Sequence, residues 1–207
     1  MISALAFLLA LAAAGPSEAQ QGAKSSVKER QAIHAFGQCV AVERTAETRK
    51  LLAMDFRQKD YGTAMRRLLD KPASCRHVQV PRGAYASGGL LWGGALAEGL
   101  LRRDEMLERL GAATAHLPEL PDIEARNAGE LMAFCTVRAN PAAVAALLIA
   151  EPATSEEYEA IGALGDTLGS CVPANSKSNF TREALRALLA LGAHRLVVHN
   201  QQARPNA

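Results

Sequence analysis

The residues of this chain best suited to chemistry are four cysteines, five histidines and one carboxylate set in an apolar stretch. Cys39 and Cys75 stand 36 positions apart, and so do Cys135 and Cys171. Cysteines in an even, matched set form disulfides in an oxidising compartment; elsewhere they serve as metal ligands or nucleophiles. The chain has no CxxC pair, and its nearest Cys–His approach, Cys75 with His77, falls far short of a zinc donor set. The histidines are His34, His77, His116, His194 and His199, none in an HExxH arrangement. On one helix, His194 and His199 would point about 140° apart, too far to share a metal. The expectation is exposed histidines near helix ends. A GxSxG elbow, a P-loop and a GxGxxG motif are all missing, and neither Ser87 nor Ser170 has glycines in nucleophile register.

Glu98 is the one carboxylate in the stretch Gly88-Gly-Leu-Leu-Trp-Gly-Gly-Ala-Leu-Ala-Glu-Gly99. A buried carboxyl has a raised pKa and suits general-acid work. An exposed one would simply pair with Arg102, one helical turn on. No second carboxylate is spaced to work with it, so the surface pair is the expectation. Catalytic, cofactor-binding and metal-binding residues are therefore all read as none. The small residues Gly89, Gly93 and Ala97 recur along one face of this segment, which lets another backbone approach closely. That points to tight internal packing.

The elements that position these residues are helical. Of the 207 residues, 49% are apolar, 21% charged and only 4% aromatic. An Ala/Leu-rich chain with few aromatics favours helices over a β-sandwich or barrel. A net charge of +2 is too small to imply a nucleic-acid partner. Residues 2–14 form an uncharged apolar run, long enough for a signal-peptide core but short of the about 20 residues that span a bilayer. Ser17 and Ala19 then set small residues before Gln20, and Ala12 and Ala14 satisfy the same rule for an earlier cut. Residues 1–19 are accordingly read as a cleaved signal peptide, with a periplasmic or secreted mature chain and no transmembrane segment.

Setting Cys39 on Cys135 also sets Cys75 on Cys171, Leu51-Leu52 on Leu147-Leu148 and Leu68 on Leu164. After a short gap, Trp92–Gly99 falls on Leu185–Gly192 and Arg102 on Arg195. This is the pattern of an internal duplication. Helices are expected at about 27–43, 45–55, 59–72 and 88–103, and again at 123–139, 141–151, 155–170 and 181–198, with a short one at 104–113. Asn140-Pro141, Thr154 with Glu157, and Thr181 supply helix starts. The expected fold is all-α: a first helical unit at 20–103, a connector at 104–122, a second unit at 123–199 and a disordered tail at 200–207. Of the three possible cysteine pairings, duplication favours Cys39–Cys75 and Cys135–Cys171. Each bridge would close a loop worth roughly 3–4 kcal/mol.

A signal peptide, Cys39-Val40, a Leu-Leu helix, a helix ending in Ser-Cys and the Ala-Leu-Ala-Glu helix together resemble small exported all-helical bacterial proteins with paired cysteines. The resemblance implies an all-α fold and a periplasmic address, with no activity and no functional residues carried over. The expected function is a non-catalytic helical-repeat module that binds or scaffolds a protein partner. The alternative is a cell-envelope hydrolase using Glu98 and a histidine in the cleft between the units.

Overall fold

The computed structural model describes residues 26–70, 72–81, 88–172 and 180–203. The signal-peptide expectation lies outside them. The described residues form ten α-helices and one 3-10 turn, with no strand among them. The first half holds α1 (Val27–Glu43), α2 (Thr45–Ala53), α3 (Tyr61–Leu69), the 3-10 turn Ser74–His77 and α4 (Gly89–Arg103). A short α5 (Leu110–Thr114) leads into α6 (Ala128–Ala139), α7 (Pro141–Ile149), α8 (Ser155–Ala163), α9 (Gly165–Cys171) and α10 (Arg182–Ala203).

Local chemistry sets the boundaries. Ser26 opens α1 with a reciprocal cap: its hydroxyl accepts from Glu29 N–H, and Glu29 accepts from Ser26 N–H at 2.7 Å. Asn140 caps α7 by accepting from Ala143 N–H, with Pro141 in the first turn. Helix α6 starts later than expected because the Asn127 side chain accepts from Glu130 N–H and fixes the start there. The helix expected at 155–170 is two, breaking where Leu164 N–H turns to Ile161 O beside Gly165. Helix α10 runs on to Ala203, past the expected start of the tail at 200. Asn200 is buried and donates to the carbonyls of Ala113 and Ala115, which ties the last turns to α5.

Helices α4 and α10 cross at the centre, α1 packs on α4, and α6 packs on α10. The buried side chains of both halves form one continuous core, including Leu96, Leu100 and Leu101 of α4 and Leu189 and Leu196 of α10. Phe36 meets Trp92 edge to face, with ring centroids 5.9 Å apart. Small residues set the helix spacing. A Cβ on Gly94 would lie 2.5 Å from Ala187 Cα, and one on Gly37 would lie 2.5 Å from Ala95 Cβ. Backbone cannot yield as a flexible side chain can. Gly94→Ala should therefore lower stability by about 1–3 kcal/mol through overpacking. Gly162→Ala, on an exposed helical site with nothing within 4 Å, should raise it by about 0.5–1 kcal/mol. Urea unfolding of the two variants gives the comparison, and equal effects would contradict the close approach at Gly94.

Both cysteine pairs lie at bonding distance. Cys39 on α1 meets Cys75 on the 3-10 turn at 2.03 Å, and Cys135 on α6 meets Cys171 at the end of α9 at 2.01 Å. Glu43 holds the first bridge in place by accepting from Ala73 N–H and Ser74 N–H. In the alignment that sets Cys39 on Cys135, α2 falls on α7 residue for residue, whereas α3 falls across α8 and α9.

Candidate functional site: a buried carboxylate with arginine and histidine partners

Glu98 is placed on α4 by an apolar, small-residue helix whose residues 92–101 are all buried. It is 1% exposed, which overturns the expectation of a surface pair with Arg102. Six side-chain nitrogens from four residues reach its two oxygens. Arg186 of α10 donates Nε to Oε2 at 3.0 Å and Nη2 to Oε1 at 2.7 Å. His34 Nε2, on α1, lies 2.5 Å from Oε1, and Gln38 Nε2 donates at 3.1 Å. An ionised carboxylate only accepts, so this contact is a hydrogen bond when Nε2 carries a proton; Gln38 Nε2 and Arg186 Nη2 lie 2.9 and 3.1 Å from the same nitrogen. Arg102 does bond Glu98, with Nη2 at 3.1 Å from Oε1, but its other targets carry equal weight.

Those targets close the cluster. The last carbonyls of α7 have no intrahelical partner. Arg102 donates to Leu148 O and to Ile149 O at 3.0 Å, while Arg186 donates to Ala150 O at 2.8 Å and Leu148 O at 3.2 Å. Two guanidinium groups thus sit at the negative end of α7, where the helix dipole favours cations. Arg186 also donates Nη1 to Glu157 of α8 at 3.0 Å, and Glu157 turns its other oxygen to Ala153 N–H at 2.8 Å. Glu98 and Arg186 between them connect α1, α4, α7, α8 and α10.

Burial alone would raise the Glu98 pKa. The hydrogen bonds and charges of His34 and Arg186 outweigh it and bring the value down to about 2. A general acid must hold its proton near neutral pH, and Glu98 does not. The geometry expected of the hydrolase alternative, a buried Glu98 with a histidine at hydrogen-bond distance, is present. The adjoining cavity, which Arg30, Ile33 and Leu91 also line, measures only about 50 Å³. That is space for water and too little for a glycan or peptide.

A third buried carboxylate, Glu130 of α6, pairs with other arginines. Arg195 Nη1 lies 2.6 Å from it and Arg126 Nη1 3.8 Å. In the alignment that sets Cys39 on Cys135, Glu130 takes the place of His34 and Arg195 the place of Arg102. Of the histidines expected at exposed helix ends, His77 and His116 are exposed and His199 is half-buried. His34 and His194 are buried, at 6% and 7% exposure, because both point inward from long core helices. Among the described residues, no three His, Cys, Asp or Glu side chains are grouped to hold a metal.

Sequence reasoning missed His34, Gln38 and Arg186 as partners of Glu98, and Glu157 as the second acidic partner of Arg186. One signal was available. Glu98 in α4 and Arg186 in α10 are opposite charges, each set among apolar and small residues, and each needs a partner if buried.

Acid should weaken the fold in two stages. Burial, helped by the Arg49 charge and opposed by Asp104, lowers the His194 pKa to about 4 from an ordinary 6.5. The unfolded chain binds this proton first, so stability drops as pH falls from 6.5 toward 4. Glu98 gives the same sign between its ordinary 4.5 and about 2. Each window is worth on the order of 3 kcal/mol when complete. Urea midpoints across pH 8 to 3 check this: the first stage should vanish in His194→Leu, which places there the residue type of the aligned Leu101. Flat midpoints between pH 6.5 and 4.5 in the wild type would contradict the assignment.

Compared with known proteins, the chain matches no family model, no curated protein and no solved structure.

Proposed function

We propose that this chain is an exported, non-catalytic helical module with two tandem units, which binds or scaffolds a protein partner in the periplasm. The observation that carries the reading is the saturation of Glu98. Both of its oxygens are taken by side chains from α1, α4 and α10, and it is held ionised. A charge committed in this way fastens helices together and leaves nothing free for a substrate. Two further observations support export and duplication. The two cysteine pairs suit an oxidising compartment. The aligned helices α2 and α7, and the aligned arginines Arg102 and Arg195, each of which meets a buried carboxylate, suit a repeated unit. Among the described residues, no single helix is long and apolar enough to cross a membrane.

The test is to express the full chain with a C-terminal tag in a Gram-negative host, release the periplasm by osmotic shock and crosslink in place. Shortening by about the length of the leader, absence of free thiols, and a discrete crosslinked species are the expected results. Retention in the cytosol with free thiols would remove the export reading. Crosslinking only to abundant bystanders would remove the scaffold reading.

The hydrolase alternative keeps one observation in its favour, the 2.5 Å approach of His34 to Glu98. Cell-wall hydrolysis by the purified protein that Glu98→Gln abolishes, with the fold intact, would establish it.

A further inference from the structure

A cleft of about 390 Å³ opens between the end of α2, the segment before α6 and the last turns of α10. Its size falls within the range of small-molecule sites. Three arginines line it: Arg49 from α2, Arg126 from the segment before α6, and Arg195 from α10. Leu52, Ile123 and Val198 supply apolar wall, and no carboxylate is among its lining residues. Each arginine has a carboxylate within reach. Arg49 Nη2 is 2.6 Å from Asp104, and Arg126 and Arg195 share the single carboxylate of Glu130. A guanidinium has five N–H donors, so these contacts leave donors over. Against three full positive charges stand two carboxylates, Asp104 and Glu130, and the small partial charge at the end of α2, which leaves one positive charge in excess.

His194 gives the second, independent observation. Its ring lines the cleft and is buried, and its Nδ1 has no hydrogen-bond partner among the described residues. A buried imidazole nitrogen left unpaired is unfavourable; Nδ1 itself is closed to the cleft, so a ligand oxygen or water relieves it as the ring turns on binding.

We propose that this cleft binds a small organic oxyanion, a carboxylate or phosphate monoester on a compact apolar body. The oxyanion lies among Arg49, Arg126 and Arg195, and the apolar body lies against Leu52, Ile123 and Val198. This site goes beyond the scaffold reading and does not depend on it: an empty cleft leaves the crosslinking test standing, and a failed crosslink leaves the cleft standing.

The test is NMR titration of isotope-labelled, oxidised protein with benzoate, phenyl phosphate, inorganic phosphate and the neutral control benzamide. Benzoate or phenyl phosphate should shift the His194 ring and the signals of Arg49, Arg126 and Arg195 saturably at millimolar concentration, and benzamide should not. The better of the two anions identifies carboxylate or phosphate as the preferred group. Arg49→Gln, at a side chain 53% exposed, should weaken binding about tenfold. Inorganic phosphate should bind more weakly than phenyl phosphate, because it lacks the apolar body. Three results would overturn the proposal: no saturable shift, equal shifts with benzamide, or shifts spread evenly over arginines elsewhere on the surface.

Discussion

Glu98→Gln will lower the stability of this protein by about 3–5 kcal/mol, the cost of breaking a buried ion pair from one side. The amide keeps the size of the side chain and loses the charge. Arg186, which is 6% exposed, then has only Glu157 as a charged partner, and Arg102 retains only carbonyls. The amide must also present an NH2 group to a cluster of donors, where His34 Nε2, Gln38 Nε2 and two guanidinium groups already converge. Removing both charges should be milder. Glu98→Leu with Arg186→Met leaves two apolar groups, while Glu157 keeps the Ala153 N–H and Leu148 O keeps Arg102. The double variant should be more stable than the sum of the single losses by at least about 1 kcal/mol. Urea unfolding of the four proteins makes the cycle. Additive losses would mean that the two charges do not act on each other.

Removing either disulfide will have an effect of similar size. Each bridge closes a loop with a sequence separation of 36, for which the chain-entropy relation gives about 4 kcal/mol. Cys39→Ser with Cys75→Ser should cost about that much, and Cys135→Ser with Cys171→Ser likewise. The first pair has additional support, because Glu43 still holds Ala73 N–H and Ser74 N–H against the end of α1. The corresponding position at the end of α6 is Ala139, which offers no such hold. The second pair should therefore lose slightly more. Denaturant unfolding of the oxidised wild type beside the two double variants measures both. Losses under 1 kcal/mol would show that the bridges restrain little of the unfolded chain.

The helices could be read in the sequence where a local group sets a boundary. Asn140-Pro141 and Thr154 cap α7 and α8 as their types suggest, and Thr181 accepts from Ala184 N–H at the start of α10. The cysteine pairing was legible because it follows from spacing. The late start of α6 was not, since Asn127 and Pro-flanked residues before it compete with a helical pattern that continues through them. The extent of α10 was hidden for another reason. Asn200 looks like tail composition, yet it stays helical through a tertiary bond to α5.

Glu98 was half legible. Its neighbour Arg102 does bond it, so the local pair was seen. Its burial was missed because His34 and Arg186 lie 64 and 88 positions away, beyond any local window. The duplication misdirected too. The aligned residue is Leu191, which makes the acid look incidental. In the second half the buried carboxylates stand on other helices, Glu130 on α6 and Glu157 on α8. Following the aligned arginines Arg102 and Arg195 to their acids would have found Glu98 and Glu130.

The central claim is that Glu98 is a permanently charged fastener between helices. The most direct measurement is a carbon-detected NMR titration of the Glu98 carboxyl in the folded, oxidised protein. A signal that stays ionised until the fold itself fails, or that titrates near 2, is the expected result. A carboxyl that titrates at or above its ordinary 4.5 while the protein remains folded would contradict it, and would return Glu98 to the role of a proton donor.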